Sequence, residues 1–428
     1  MTRMLKGLTA IALASLAGSI CQAQMVPIRQ LGPVTAVGKE PLGAVSAVRQ
    51  LPDGRVIVND ILGRRIVMFD SSLATFTVIA DTTSATASAY GPRPGGLIAY
   101  RGDSTLFIDP ASLSMLLIDP SGKIARVMSA PRANDVAFLV GGPFGTPGFD
   151  AQGRLVYRAP PRLNFGGPPP GAGRLPQIPP FPDSAALVRF DLATRKLDTV
   201  TWFKTPKVNM SVTQSPDGGI RVLPIVNPLP QGDDWAILPD GTIALVRGRD
   251  FHVDWVSPQG TTSSPKIPFD WERLSDEAKV AFVDSAKVAL EKARASGQFN
   301  FGGLGPAPAR ATTTVTPGGS STVTTTGGPA AGGQIPPLTM VPPTELPDYK
   351  PAFVPGATRA DADGNLWIRT SQNVDARPVY DVVNRKGELI DRVQLPQNRV
   401  LVGFGQNGVV YLGVRDGTTA HLEKARIK

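Results

Sequence analysis

The chain has 428 residues, with 44 Lys and Arg against 35 Asp and Glu, two histidines and one cysteine. A single cysteine excludes a disulfide framework, and two histidines leave little material for a histidine-rich metal centre or a paired-histidine base. The net charge of +9 is scattered along the chain rather than gathered on one element. It therefore favours solubility and weak attraction to anionic polymers, and lacks the clustered Lys/Arg of a nucleic-acid binder.

The first residues read as an export signal. Arg3 and Lys6 form the charged region, residues 7–20 the apolar region, and Cys21-Gln22-Ala23 the small-residue cleavage site. The expected division is a signal peptide at 1–23 and a mature domain at 24–428, exported to the periplasm or beyond. Neither this apolar run nor any later one reaches the roughly 20 residues that a membrane-spanning helix needs. Lipid anchoring through Cys21 is the alternative, but Gly18-Ser19-Ile20 departs from the small-residue pattern that lipid attachment requires before the cysteine.

After the leader, a degenerate unit recurs. It begins with a turn, as in Leu51-Pro52-Asp53-Gly54, continues into a β-rich run, Val56-Ile57-Val58-Asn59-Asp60, and ends in a second run, Arg65-Ile66-Val67-Met68-Phe69-Asp70. Equivalent turn positions fall at Gly54, Ser104, Gly153, Gly241, Gly364 and Gly408. Internal repetition of this kind outranks local motifs when a fold is assigned. Six turns predict an all-β, six-bladed β-propeller. The last unit, from Arg399 onward, has only three strands' worth of sequence, so residues 25–37 are expected to supply the fourth and close the ring.

Two stretches break the rhythm. Residues 162–182 carry Gly-Gly-Pro-Pro-Pro and Ile-Pro-Pro-Phe-Pro and predict an extended loop. An insert at 270–350, between blades four and five, starts with Ser275-Asp276-Glu277 as a helix start and carries an apolar stripe at Leu274, Ala278, Phe282 and Ala289. The Gly/Pro/Thr/Ala tract at 301–337 within it predicts disorder.

The Asp53-to-Asp70 stretch resembles an NHL-type repeat, and the chain outside its inserts resembles the exported six-bladed propellers grouped as NHL-like or TolB-like. Such propellers include interaction scaffolds, sugar and peptide binders, metal-dependent lactonases and lyases, so the resemblance implies a fold more than an activity. It also implies that a functional site, if present, lies at one mouth of the central channel. Aligning the units places Asn59, Asp109, Arg158 and Arg369 at equivalent ends of what read as the inner strands, with Asp60 and Arg247 one residue beyond.

Three arginines there point to an anion-binding mouth, since guanidinium forks match carboxylates and phosphates. The bland alternative is that Asp60 and Asp109 pair with Arg158, Arg247 and Arg369 across a solvated channel. The return segment Asp348-Tyr349-Lys350-Pro351-Ala352-Phe353 suggests a lid made by Tyr349, Lys350 and Phe353, or else a plug at a blade edge. The leading expectation is therefore a monomeric, non-catalytic binder of an anionic small molecule, a peptide or an envelope protein. The alternative is a lactonase-like hydrolase or lyase using Asp60 or Asp109. No cofactor is implied, with calcium on Asn59, Asp60 and Asp109 as the variant reading.

Overall fold

The repeated turn is a hairpin whose backbone only certain residues can follow. In the first unit the Leu51 N–H donates to the Arg55 carbonyl at 2.8 Å and the Gly54 N–H to the Leu51 carbonyl at 2.9 Å. This reverses the chain between the antiparallel strands Val45–Gln50 and Val56–Asp60. Gly54 sits at φ +88°, and Gly153, Gly241, Gly364 and Gly408 take φ between +68° and +84°. A Cβ costs about 1–2 kcal/mol in that region, which explains why glycine spells the turn in five of six units.

The acid or amide that closes the third strand of blades 1, 2, 3 and 5 has an equally local cause. The Asp70 carboxylate accepts the N–H groups of Ser72, Ala74 and Thr75, and Asp119 those of Ser121 and Lys123. Asp191 accepts from Ala193 and Thr194, and the Asn384 side chain from Lys386 and Glu388. These are Asx turns between the third and fourth strands of their blades.

The computed structural model describes residues 26–83, 89–162, 179–214, 220–295, 310–315, 321–326, 339–417 and 419–427. It is a six-bladed β-propeller in which each blade has four antiparallel strands, the blade 5 sheet gaining a fifth, parallel one: blade 1 (45–80), blade 2 (96–129), blade 3 (148–204), blade 4 (234–263), blade 5 (359–394) and blade 6 (399–426). Blade 6 takes its fourth strand from Val34–Val37, which pairs antiparallel with Thr419–Arg426, so the N-terminal segment closes the ring as its sequence predicts. Just before it, Ile28–Gln30 pairs parallel with the outer strand of blade 5, and Arg29 Nε bonds Asp391 at 2.7 Å. The leader and most of the 162–182 loop lie outside the described residues.

One expectation about strand order is corrected. The runs after each Asp-Gly turn are the second strands of their blades, not the innermost. Val56–Asp60 and Thr105–Asp109 are buried at every position because sheet covers both faces. The innermost strands precede the turns, and the first strands of successive blades adjoin one another around the channel. Two of them, Gly148–Phe149 and Arg359–Ala360, are only two residues long, too short to show a period of two.

Each junction between blades holds its own apolar cluster. Ile57, Met68, Phe107 and Leu116 join blades 1 and 2, and Val246, Phe251, Phe353 and Leu366 join blades 4 and 5. Full burial of one such side chain contributes about 1.5–3 kcal/mol, so the ring is held by its six junctions. Trp235 and Trp367 are fully buried in this packing.

A seventh cluster lies outside the ring. The helix α1 (Asp276–Ala295) packs Phe282 and Val283 against Leu229, Leu274, Val341 and Leu346. Its inward face runs through Lys279, Phe282, Val283, Ala286 and Leu290, whereas Ala278 and Ala289 of the expected stripe are exposed. The offset arises because the Lys279 ammonium turns inward to Asp348 at 2.7 Å. A hairpin between blades 3 and 4, Asn209–Gln214 with Ile220–Ile225, was not foreseen and lies beside Arg310–Val315. Within the tract expected to be disordered, Arg310–Val315 and Ser321–Thr326 pair antiparallel, in keeping with the strand preference of their β-branched threonines; the rest of that tract is outside the described residues. No helix among the described residues is long and apolar enough to cross a membrane.

Candidate functional site at the channel mouth

All six residues singled out at strand ends do lie at one end of the ring. Each is at or near the end of a second strand, where the paired first strand begins: Asp60 opposite Val45, Asn59 opposite Ala47, and Val246, beside Arg247, opposite Asp234. They divide into two groups with different surroundings.

In the first group the polar side chains are tied into the framework. Asn59 is buried; its Nδ2 donates to Ser46 Oγ at 2.9 Å and to the Gly95 carbonyl at 2.7 Å, while its Oδ1 accepts from the Tyr90 hydroxyl at 2.9 Å. Burial pushes the Tyr90 phenol up to about 12. Asp60 is also fully buried. Its Oδ1 accepts the N–H groups of Gly43, Ala44 and Gly63 at 2.9, 2.9 and 3.0 Å, and its Oδ2 meets Arg65 Nε at 3.0 Å. Asp109 accepts from Ala111 N–H at 3.0 Å and from Ser112 Oγ at 2.6 Å. Arg247 bridges Asp233 at 2.8 Å and Asp254 at 2.6 Å, with His252 beside them at 3.2 Å from Asp254.

The second group is Arg158 and Arg369. Both are half-buried, and the Nε of each is buried without an acceptor among the described residues. The Arg158 guanidinium lies 5.2 Å from the Phe144 ring centroid and 5.9 Å from those of Phe138 and Phe203. Burial pulls its pKa down to about 10, against the opposing influence of the Asp234 carboxylate. Arg369 sits cross-strand from Tyr380, whose phenol burial raises against the positive charge of Arg369 and Arg359. The expected cross-channel pairing of Asp60 and Asp109 with these arginines is absent among the described residues, because the acids are satisfied within their own blades.

Asp234 belongs with the second group and was not singled out. It opens the innermost strand of blade 4, is 2% exposed, and accepts the N–H of Thr358 and of its own neighbour Trp235, both at 2.8 Å. Burial raises its carboxyl above the usual range, opposed by the Thr358 and Trp235 hydrogen bonds and by Arg359. The acidic pair Asp233-Asp234 ahead of an apolar run was the available signal. It went unread because the innermost strand was not recognised.

The segment Gly141-Gly142-Pro143-Phe144-Gly145 completes the mouth. A Cβ on Gly96, in the first strand of blade 2, would lie 2.5 Å from Val140 Cα. A Cβ on Gly356, in the segment leading into blade 5, would lie 2.6 Å from the Pro143 carbonyl oxygen. The strap thus runs from the first strand of blade 2 to the segment leading into blade 5 and to Trp235 of blade 4. Phe144 O accepts Trp235 Nε1 at 3.0 Å, and Gly141, Gly142 and Gly145 adopt φ of +83°, +76° and +90°.

The segment expected as a lid or a blade-edge plug pairs with the strand end of blade 5 that carries Arg369. Phe353 is 2% exposed and stacks 5.7 Å from Phe251 in the junction of blades 4 and 5. Its neighbours extend the sheet: Val354 N–H donates to the Arg369 carbonyl at 2.9 Å and Ser371 N–H to that of Ala352 at 3.1 Å. Lys350 pairs with Glu272 at 2.7 Å, and Tyr349 is exposed beside Arg273.

No family model matches the chain, and no curated protein does. Solved propellers are similar to it over nearly its whole length. They include a luciferin-regenerating enzyme (9% identity, TM-score 0.37, covering 91% of this chain and 92% of that one). Another is the virginiamycin B lyase of Staphylococcus aureus (10%, 0.36, 90% and 96%). A third is the calcium-binding protein regucalcin of Agrobacterium tumefaciens strain C58 (12%, 0.33, 94% and 97%). At these identities the likeness is one of fold.

Proposed function

We propose that the protein is an exported, monomeric propeller of the NHL-like type that binds an anionic small molecule, or an acidic segment of a peptide or envelope partner, at its channel mouth. The observation that carries this reading is the pair Arg158 and Arg369, each with a buried Nε lacking an acceptor among the described residues. A buried donor without a partner costs about 1–3 kcal/mol, and a carboxylate or phosphate would supply two acceptors in the geometry of a guanidinium fork. The oxygens of Asn59, Asp60 and Asp109 already accept protein hydrogen bonds, which disfavours a calcium site built on them.

The experiment is thermal unfolding of the mature domain with sugar acids, phosphorylated sugars and short acidic peptides, alongside an Arg158→Ala/Arg369→Ala variant. A ligand present at 100 times its Kd stabilises by about 2.7 kcal/mol, a readily measured rise in Tm. A rise in the parent that vanishes in the variant supports the arginine mouth; a rise of equal size in both overturns it.

One observation favours a second reading. Asp234, buried with a raised carboxyl near Arg158 and Arg359, has the character of a general acid, as a hydrolase or lyase would require. Turnover of a lactone that Asp234→Asn abolishes, with anion binding retained, would establish it.

A further inference from the structure

At the opposite end of the ring, where the Asp-Gly turns lie, a groove of about 520 Å³ opens between blades 3 and 4. Val200 and Val256 line its apolar part, Ser257, Pro258, Gly260 and Thr261 form one wall, and Gln152, Arg154 and Arg189 form the other. We infer that this groove binds a small organic carboxylate on an apolar body, with Arg189 as its counter-ion.

Arg189 occupies a position that the other blades use for packing. It lies on the third strand of blade 3, opposite Val156 of the second strand. The same register position holds Met68 in blade 1, Leu116 in blade 2, Trp255 in blade 4 and Val382 in blade 5, all buried. In blade 6 it holds Lys424, whose ammonium donates to the Ser71 carbonyl at 3.1 Å. Arg189 has no such acceptor among the described residues. Its Nε is buried and unpaired, and its cross-strand neighbour Asp198 is exposed and forms no ion pair with it.

The other charge in the groove is already neutralised, because Arg154 pairs with Asp150 at 2.8 Å. Blade 4 also lacks the carboxylate or amide that closes this turn in blades 1, 2, 3 and 5. Ser257 stands there, its hydroxyl bonded within its own turn. Among the described residues the groove thus offers one free guanidinium beside aliphatic surface, within the usual 300–1,000 Å³ of small-ligand sites. A carboxylate would satisfy the guanidinium and an aliphatic or aromatic body would cover Val200 and Val256. The carboxylate can come from a free acid or from the C-terminus of an apolar peptide.

The test is calorimetric titration of the mature domain with 3-phenylpropionate and its amide, and with acetyl-Ala-Phe as free acid and as amide. Arg189→Met is the informative variant, since it restores the residue type of blade 1, and Arg189→Gln serves should it fail to fold. The expected result is binding of at least one acid, with its amide and the Arg189 variant each weaker by tenfold or more and the Arg158→Ala/Arg369→Ala variant unchanged. Which acid binds identifies the source of the carboxylate. Equal binding of acid and amide, undiminished binding in the Arg189 variants, binding lost only in the Arg158/Arg369 variant, or no binding of either acid overturns the inference.

Discussion

On the blade 1–2 side of the channel mouth, Asn59, Asp60 and Asp109 are closed into hydrogen bonds; on the blade 3–5 side, Arg158 and Arg369 are half-buried, each with a buried Nε that has no acceptor among the described residues. The strand positions are equivalent, so position alone does not make a residue available to a ligand. A carboxylate at a strand end finds backbone N–H groups in the adjoining turn, as Asp60 does at Gly43, Ala44 and Gly63. A guanidinium has only donors and needs an acceptor brought to it. Around Arg158 the strap supplies the ring of Phe144 and the helical turn before it that of Phe138 instead.

This contrast can be broken most directly at Asp60. Asp60→Ala should cost about 3–5 kcal/mol in urea unfolding, because it strands three N–H groups and takes from Arg65 one of its two carboxylate partners. A loss under 1 kcal/mol would mean that the blade 1–2 side is no more committed than the other.

A pH experiment comes next in size. Burial pushes the Asp381 carboxyl up to about 6, opposed by Arg392. The folded state therefore holds that proton more tightly than the unfolded chain, whose aspartates titrate near 3.9. Stability should fall as pH rises from about 4 to about 6, by up to about 3 kcal/mol from this group. Other carboxylates are held below their usual range and slope the opposite way, so the measurement is the difference in unfolding free energy between the parent and Asp381→Asn across that window. A flat difference would remove Asp381 as a proton-binding group.

The strap gives a smaller effect. In Gly145→Ala the new Cβ meets φ +90° and would sit 2.3 Å from Trp235 Nε1. A loss of about 2 kcal/mol is expected, with Trp235 fluorescence altered in the native state. Unchanged stability and emission would show that the strap does not rest on Trp235. Smallest of all, Arg158→Met should change stability by no more than about 1 kcal/mol, since it trades ring contacts for relief of a buried charge. A larger loss would place Arg158 with the framework residues.

Turn chemistry made the ring legible. Gly54 and its counterparts need a left-handed backbone, and Asp70, Asp119, Asp191 and Asn384 bond N–H groups two to five residues ahead, so both devices are written within a few positions. Six such turns gave six blades, and the missing strand of blade 6 pointed to the N-terminal segment. Two of the innermost strands, Gly148–Phe149 and Arg359–Ala360, escaped because two residues carry no period. The helix face shifted because Lys279 found Asp348, 69 residues away.

The sequence by itself thus determined the blade count, the ring closure and the positions of the charged strand ends, all consequences of local backbone geometry. Only the tertiary structure decided which of those charges are free. Asp234 meets Thr358 across 124 residues, and the strap reaches Gly356 from Pro143. Partners so distant are set by how the blades close on one another, which no local pattern encodes.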